Sequence, residues 1–224
     1  MARRTKAEAE ATREALLDAA EQVFYDKGVA RASLQEIARA AGVTRGAFYW
    51  HFSDKAELFR AMLDRVRLPF EELVETIAKP QPAPSILETL RLVALAALEH
   101  AERPRLRRVH AIIIHRCEIF DDINPVAMVR DIAETAFTDT LHYFEQAEHA
   151  GELRVGLDAR TANWLFHSNM RGLIYSWHLD PDAFSLTETG STVFNWLFAT
   201  FADLQPPEVA DDERRSVSRQ RLRG

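Results

Sequence analysis

The chain has 224 residues, 47% of them hydrophobic, and a net charge of −6. That is room for one large domain or two small ones with a real core. No stretch approaches the roughly 20 apolar residues needed to cross a bilayer, and the start, MARRTKAEAEATREALLDAA, lacks the apolar run of a secretory leader. The single cysteine, Cys117, excludes an intrachain disulfide and fits a reducing cytoplasm.

The pattern is all-α, because hairpin turns and sustained alternation are nearly absent. A first helix is expected from about Ala7 to Lys27, with Leu16, Ala20, Val23 and Phe24 on one face and Gly28 as its stop. Ser33 and Glu36 form a capping box for a short helix that Gly42 ends. Another short helix begins near Thr44 and closes by His51 or Phe52. Ser53 or Asp54 caps a fourth, which carries Phe59, Met62, Leu63, Val66, Phe70, Leu73 and Ile77 and is kinked by Pro69. A proline-rich connector, KPQPAPS, leads to helices over about 86–101 and 104–117. Asn124 caps a long helix to about Ala150, Asp158 one to about 178, and a last helix spans 186–204. The tail 205–224 has the composition of a disordered segment.

Charge is uneven along the chain. Residues 1–67 carry 12 Lys and Arg against 10 Asp and Glu, whereas 68–224 carry 16 against 24. A neutral-to-basic head on an acidic body suits a polyanion partner for the head. The head also reads as a short helix, a glycine-containing turn and a second short helix, the order of a helix-turn-helix. In that geometry the first residues of the second helix reach base edges in the major groove. Here those are Val43, Thr44, Arg45 and Gly46, with Arg45 able to offer a fork to guanine. At about 100° per residue, Phe48 and Phe52 share an inward face, while Tyr49, Trp50 and His51 lie off it. Lys55 and Ser33 sit at neighbouring helix starts, which attract phosphate. From periodicity alone, an ordinary aromatic core helix fits equally well.

The run SLQEIARAAGVTRGAFYWHFSDKAELF resembles the DNA-binding region of the TetR family of one-component bacterial repressors. The resemblance is close over roughly the first sixty residues. It implies that Thr44, Arg45, Gly46, Tyr49, Trp50, His51 and Lys55 lie at the DNA, with Arg3, Arg4 and Lys6 as an N-terminal arm or simply a solvated tail. It implies three parts: a DNA-binding domain over 1–53, a ligand-binding and dimerisation domain over 54–204, and the tail. RLRRVHAIIIHRCEIFDDI, residues 105–123, is similar to the body of the branch that controls multidrug efflux pumps.

In the body, Leu92, Val93, Ala96, Ile113, Ile114, Phe137, Leu141, Met170 and Ile174 are candidates to line a cavity. His110, Asn163, His167 and Tyr175 are its candidate polar groups, sparse as drug-sized sites require. The last helix is apolar nearly all round, which suggests burial against a partner chain. Val193, Phe194, Trp196, Leu197 and Phe201, with Trp164, Leu165, Leu173 and Trp177, are the candidate dimer surface. His110, His115 and Cys117 cannot converge from one helix, so no metal site is expected, and no cofactor motif or catalytic constellation appears. The resemblance implies a cytoplasmic homodimer on pseudo-palindromic double-stranded operator DNA, with no membrane partner. A small hydrophobic or aromatic effector would release it. The same fold sensing a fatty-acyl or other metabolite, or acting as an activator, is the alternative.

Overall fold

The structure is a computed structural model that describes residues 6–67, 70–79, 82–116 and 124–202. Arg3, Arg4, Pro69, Cys117, Leu204 and the tail lie outside the described residues. Among the described residues ten helices follow one another: α1 (Lys6–Lys27), α2 (Leu34–Ala40), α3 (Arg45–Tyr49), α4 (Lys55–Asp64), α5 (Phe70–Ala78), α6 (Ile86–Ala101), α7 (Pro104–His115), α8 (Pro125–His149), α9 (Ala159–Leu179) and α10 (Leu186–Phe201). No strand occurs among the described residues, and none of their helices is long and apolar enough to cross a membrane. The kinked fourth helix of the sequence reading is two helices, α4 and α5.

Local chemistry sets the helix starts. Ser33, Thr44, Asp54, Ser85, Asn124, Asp158 and Ser185 each accept a backbone N–H from the first turn of the helix they open. Each such cap stabilises by about 1 kcal/mol. The turn between α2 and α3 is a Schellman closure: Val43 N–H donates to Ala38 O (2.9 Å) and Gly42 N–H to Arg39 O (3.1 Å). Gly42 has φ +70°, where a side chain would be strained.

Two cores follow from packing. The first joins α1–α4: Leu16, Leu17, Phe24, Ile37, Phe48, Phe52, Leu58, Phe59 and Met62 are sealed in it. Val109 and Ile112 of α7 complete it, so α4, expected to open the second domain, packs into the first core. The second core gathers Leu90 and Leu98 of α6, Phe144 of α8, Phe166 of α9, and Phe194, Phe198 and Phe201 of α10. Rings here meet edge-on, as for Phe144 with Phe166 and with Phe201, each at 5.9 Å. Gly190 lets α10 lie close on α6, since a Cβ there would fall 2.4 Å from Leu98 Cδ1.

An ion network ties α1, α4 and α7 together. Glu14, Asp18 and Glu21 line one face of α1. Arg65, the C-cap of α4, reaches all three, at 3.1, 2.5 and 3.4 Å. Arg105 of α7 meets Asp18 at 3.0 Å and Glu21 at 3.5 Å. Burial pushes the Glu21 carboxyl above its usual range, against the pull of Arg65, Arg105 and Arg108.

Phe144 is fully buried among three other rings. Phe144→Ala is expected to lower stability by about 3–5 kcal/mol, read as a shifted urea midpoint. A loss below about 1 kcal/mol would mean that the second core is not packed as described.

Candidate nucleic-acid interface and ligand cavity

α3 is too short to be stable alone and is held from beneath. Phe48 and Phe52 are buried, with rings 5.8 Å apart. Ala47 is half-buried; Arg45, Gly46 and Tyr49 are exposed, as is the N-cap Thr44, and the C-cap Trp50 is 88% exposed. The Arg45 guanidinium donates to Tyr49 Oη at 3.3 Å and lies over its ring, 5.7 Å from the centroid. Thr44 Oγ1 accepts from Ala47 N–H, so this hydroxyl also caps the helix (3.1 Å). His51 is half-buried. Ser33 is exposed and engaged in the capping box with Glu36.

Lys55 has a structural task beside any phosphate. It is half-buried, and its Nζ donates to Ala30 O and Ala32 O, both at 3.0 Å. The turn it grips is also held by α7, through Val29 N–H donating to Arg116 O at 3.1 Å.

Above the head lies a cavity of about 680 Å³. Its wall takes Leu63 from α4, Val66 and Arg67 after it, and Phe70, Glu71 and Glu72 from α5. α6 gives Val93, Ala97, His100 and Ala101, and α7 gives Leu106, His110 and Ile113. α8 contributes Val129, Ile132, Ala136, Asp139 and Thr140, and α9 Phe166, His167, Met170 and Ile174. Size and apolar character suit a drug-sized molecule.

Six of the expected lining residues are in this wall: Val93, His110, Ile113, His167, Met170 and Ile174. The others are not. Leu92 and Ala96 lie one position round α6 from Val93 and Ala97, about 100° away. Ile114 lies one position beyond Ile113. Tyr175 is 51% exposed. Leu141 packs on the second core, and Phe137 stacks between Trp164 (4.8 Å) and His167 (5.3 Å). Asn163 is fully buried, donating to Phe137 O and accepting from Thr140, each at 2.8 Å. Sequence reasoning missed the α4–α5 wall and the stripe at 129, 132, 136 and 140. That stripe has helical spacing and could have been read; the α4–α5 contribution depends on tertiary packing.

The cavity histidines are held uncharged. Burial lowers the pKa of His110 to about 4, with His178 and His100 adding to the effect. Burial, and then Arg171, lowers that of His167 to about 4. His110 Nδ1 is buried without a hydrogen-bond partner, and the His178 ring stands edge-on to it at 5.7 Å. Among the described residues no group of three His, Cys, Asp or Glu is placed to hold a metal ion.

The candidate dimer surface divides. Trp164, Leu165 and Trp196 are exposed, at 50, 41 and 46%. Leu173, Val193 and Leu197 are half-buried. Trp177, Phe194 and Phe201 are corrections: they are buried in the chain's own second core, because α10 packs on α6 and α9.

A family model for "Bacterial regulatory proteins, tetR family" matches residues 16–62. One for the "MAATS-type transcriptional repressor, C-terminal region" matches residues 85–202. The repressor BepR of Brucella suis biovar 1 is 38% identical over 195 residues, 86% of this chain and 93% of BepR. The crystal structure of NalD, secondary repressor of the MexAB-OprM multidrug efflux pump in Pseudomonas aeruginosa, superposes with a TM-score of 0.76. It is 34% identical and covers 88% of this chain and 98% of NalD. The complex of SmeT with triclosan gives a TM-score of 0.71 at 31% identity, over 89% of this chain and 98% of SmeT.

The α2 cap carries a pH dependence. Glu36 pairs with Lys27 and accepts from Ser33, and these bonds lower its pKa from 4.5 to about 2. A depressed carboxyl stabilises the fold above its unfolded pKa and loses that contribution as pH falls through the folded one. Between about pH 4.5 and pH 2 the wild type is therefore expected to lose melting temperature faster than Glu36→Gln. Parallel melting curves across that window would remove the cap from the stability of the head.

Proposed function

The chain belongs to the bacterial TetR family of regulatory proteins, and from that premise we propose that it is a repressor that binds operator DNA as a dimer, controls a multidrug efflux operon and is released by small apolar molecules. One observation supports this reading above the rest: α4 belongs at once to the core beneath the exposed α3 and to the wall of the cavity. NalD is the repressor of an efflux pump and SmeT binds triclosan; both properties are carried to this chain as part of the proposal.

In this reading Arg45 reads a base, Tyr49, Trp50 and His51 set the register on phosphates, and Thr44 and Gly46 allow close approach. Lys55 and Ser33 stay with the turn and the cap and meet phosphate from there. The exposed Trp164, Leu165 and Trp196 face the second copy, and two copies read the halves of a pseudo-palindrome. An effector in the cavity presses on Leu63 and Val66 and shifts α4, and with it the turn that Lys55 holds. The effector acts only by its preference for one arrangement. A hundredfold preference corresponds to about 2.7 kcal/mol, ordinary for coupling between sites.

The test is footprinting on DNA flanking the protein's own gene, with and without a panel of drugs and dyes. Protection of a two-fold symmetric site that a panel compound relieves is the expected result. Arg45→Ala should weaken specific binding by about 1–3 kcal/mol and relax preference at one base pair of each half-site. A chain that ignores duplex DNA, or a footprint that no compound alters, would overturn the reading.

A further inference from the structure

His167, Thr140 and Asn163 form a hydrogen-bonded set at the α8–α9 side of the cavity, and their protons can be placed by elimination. Asn163 Nδ2 donates to Phe137 O at 2.8 Å, which fixes the amide with Oδ1 toward Thr140. Thr140 has one hydroxyl proton. Asn163 Oδ1 lies 2.8 Å from that hydroxyl, and His167 Nε2 also lies 2.8 Å from it. Were Thr140 to donate to His167, its oxygen would meet Asn163 Oδ1 lone pair to lone pair. The hydroxyl also has the Ala136 and Phe137 carbonyls at 3.0 and 3.2 Å, and Asn163 Oδ1 is the nearest of these three acceptors; Thr140 therefore donates to Asn163 Oδ1, and His167 Nε2–H donates to Thr140. The other ring nitrogen, Nδ1, is left with a lone pair and no protein partner among the described residues.

The surroundings keep this arrangement. Asn163 and Thr140 are buried, at 0 and 4% exposure, so neither exchanges partners with bulk water. Phe137 and Phe166 flank the imidazole, with centroids at 5.3 and 5.2 Å. The ring lines the cavity, and its uncharged state follows from the same burial.

We propose that His167, oriented by Thr140 and Asn163, is a specificity-determining acceptor that selects effectors whose polar end donates a hydrogen bond, a hydroxyl on an otherwise apolar body. This rests on the reading of the cavity as the effector site. A ligand with an ether or a halogen in place of the hydroxyl leaves Nδ1 dry and unpaired, which carries the cost of a buried unsatisfied group. A ligand with the hydroxyl satisfies it without displacing any protein bond.

Triclosan and its O-methyl ether are a matched pair of probes, alike except for the donor. Titrated into the full-length protein and followed by calorimetry, triclosan should bind about tenfold tighter than the ether or more. In His167→Phe, which keeps an aromatic ring between Phe137 and Phe166, the two should bind within about twofold of each other. Independently of any ligand or variant, the imidazole nitrogen spectrum of the wild type should show His167 protonated at Nε2. Thr140→Val should turn that signal into a mixture of tautomers.

Equal binding of both probes to the wild type, or a preference that survives His167→Phe, would overturn the inference. So would a wild-type His167 protonated at Nδ1. In each case release of the operator by the probes would leave the repressor reading standing. Binding of neither probe would remove the cavity as their site and the inference with it.

Discussion

Leu63 is the residue on which the two halves of the molecule turn. It is buried in the core that supports the helix-turn-helix and also lines the cavity. Interiors are close-packed, so a side chain shared between two sites cannot move for one and stay for the other. α4 is therefore less a linker than a common wall. Its first residue holds the α1–α2 turn through Lys55, and its C-cap holds α1 through Arg65. Both ends of a ten-residue helix are thus fastened to the DNA-reading head. The face between them carries the head core and, at Leu63, the cavity wall.

α7 makes the same connection from the other side. Val109 and Ile112 complete the head core, while Leu106, His110 and Ile113 of the same helix line the cavity. Arg105 and Arg108 add the charges that meet Glu21 and Asp18 of α1. The head is consequently clamped between α4 and α7, and a molecule in the cavity touches both. Packed interfaces of this kind change between discrete arrangements rather than deforming smoothly, which in the proposed reading carries a displacement at the cavity to α3. Pro69, which the sequence offers as a kink, lies outside the described residues.

The legible parts of this protein were those whose physics is local. The caps at Ser33, Asp54, Ser85, Asn124 and Asp158 were readable because a cap and the backbone N–H that donates to it are three residues apart. The inward Phe48 and Phe52 and the outward Tyr49 and Trp50 fit helical spacing, but it took the family resemblance to choose this over an aromatic core helix. Facing was harder. On α6 the true wall is Val93 and Ala97, one position from Leu92 and Ala96, since a helix apolar on most sides does not say which stripe meets the void. α10 divides for a related reason. An apolar circumference suggested a partner chain, yet Phe194 and Phe201 fill the chain's own core and Trp196 is the exposed member. The wall from Leu63 to Glu72 and the Asn163 link behind Thr140 depend on how distant helices cross, which no local pattern records.

The chemistry of the cavity divides between choosing and transmitting. Three of its charged groups are engaged: Asp139 pairs with Arg67 at 3.6 Å, and Glu71 accepts from Tyr143 at 2.8 Å. Burial first, and Glu71 next, pushes the Tyr143 hydroxyl pKa to about 12, so that it remains a donor. The histidines are neutral because an apolar chamber disfavours their charged forms. Selection among apolar molecules then rests on single hydrogen bonds, where an unmade bond costs more than a made one contributes. Leu63 and Val66 offer no polar group at all. They respond to occupied volume, whatever occupies it. In the proposed reading a chamber built this way is tuned for its ligands on the α8–α9 side without touching the α4 side, and the head responds alike to different ligands.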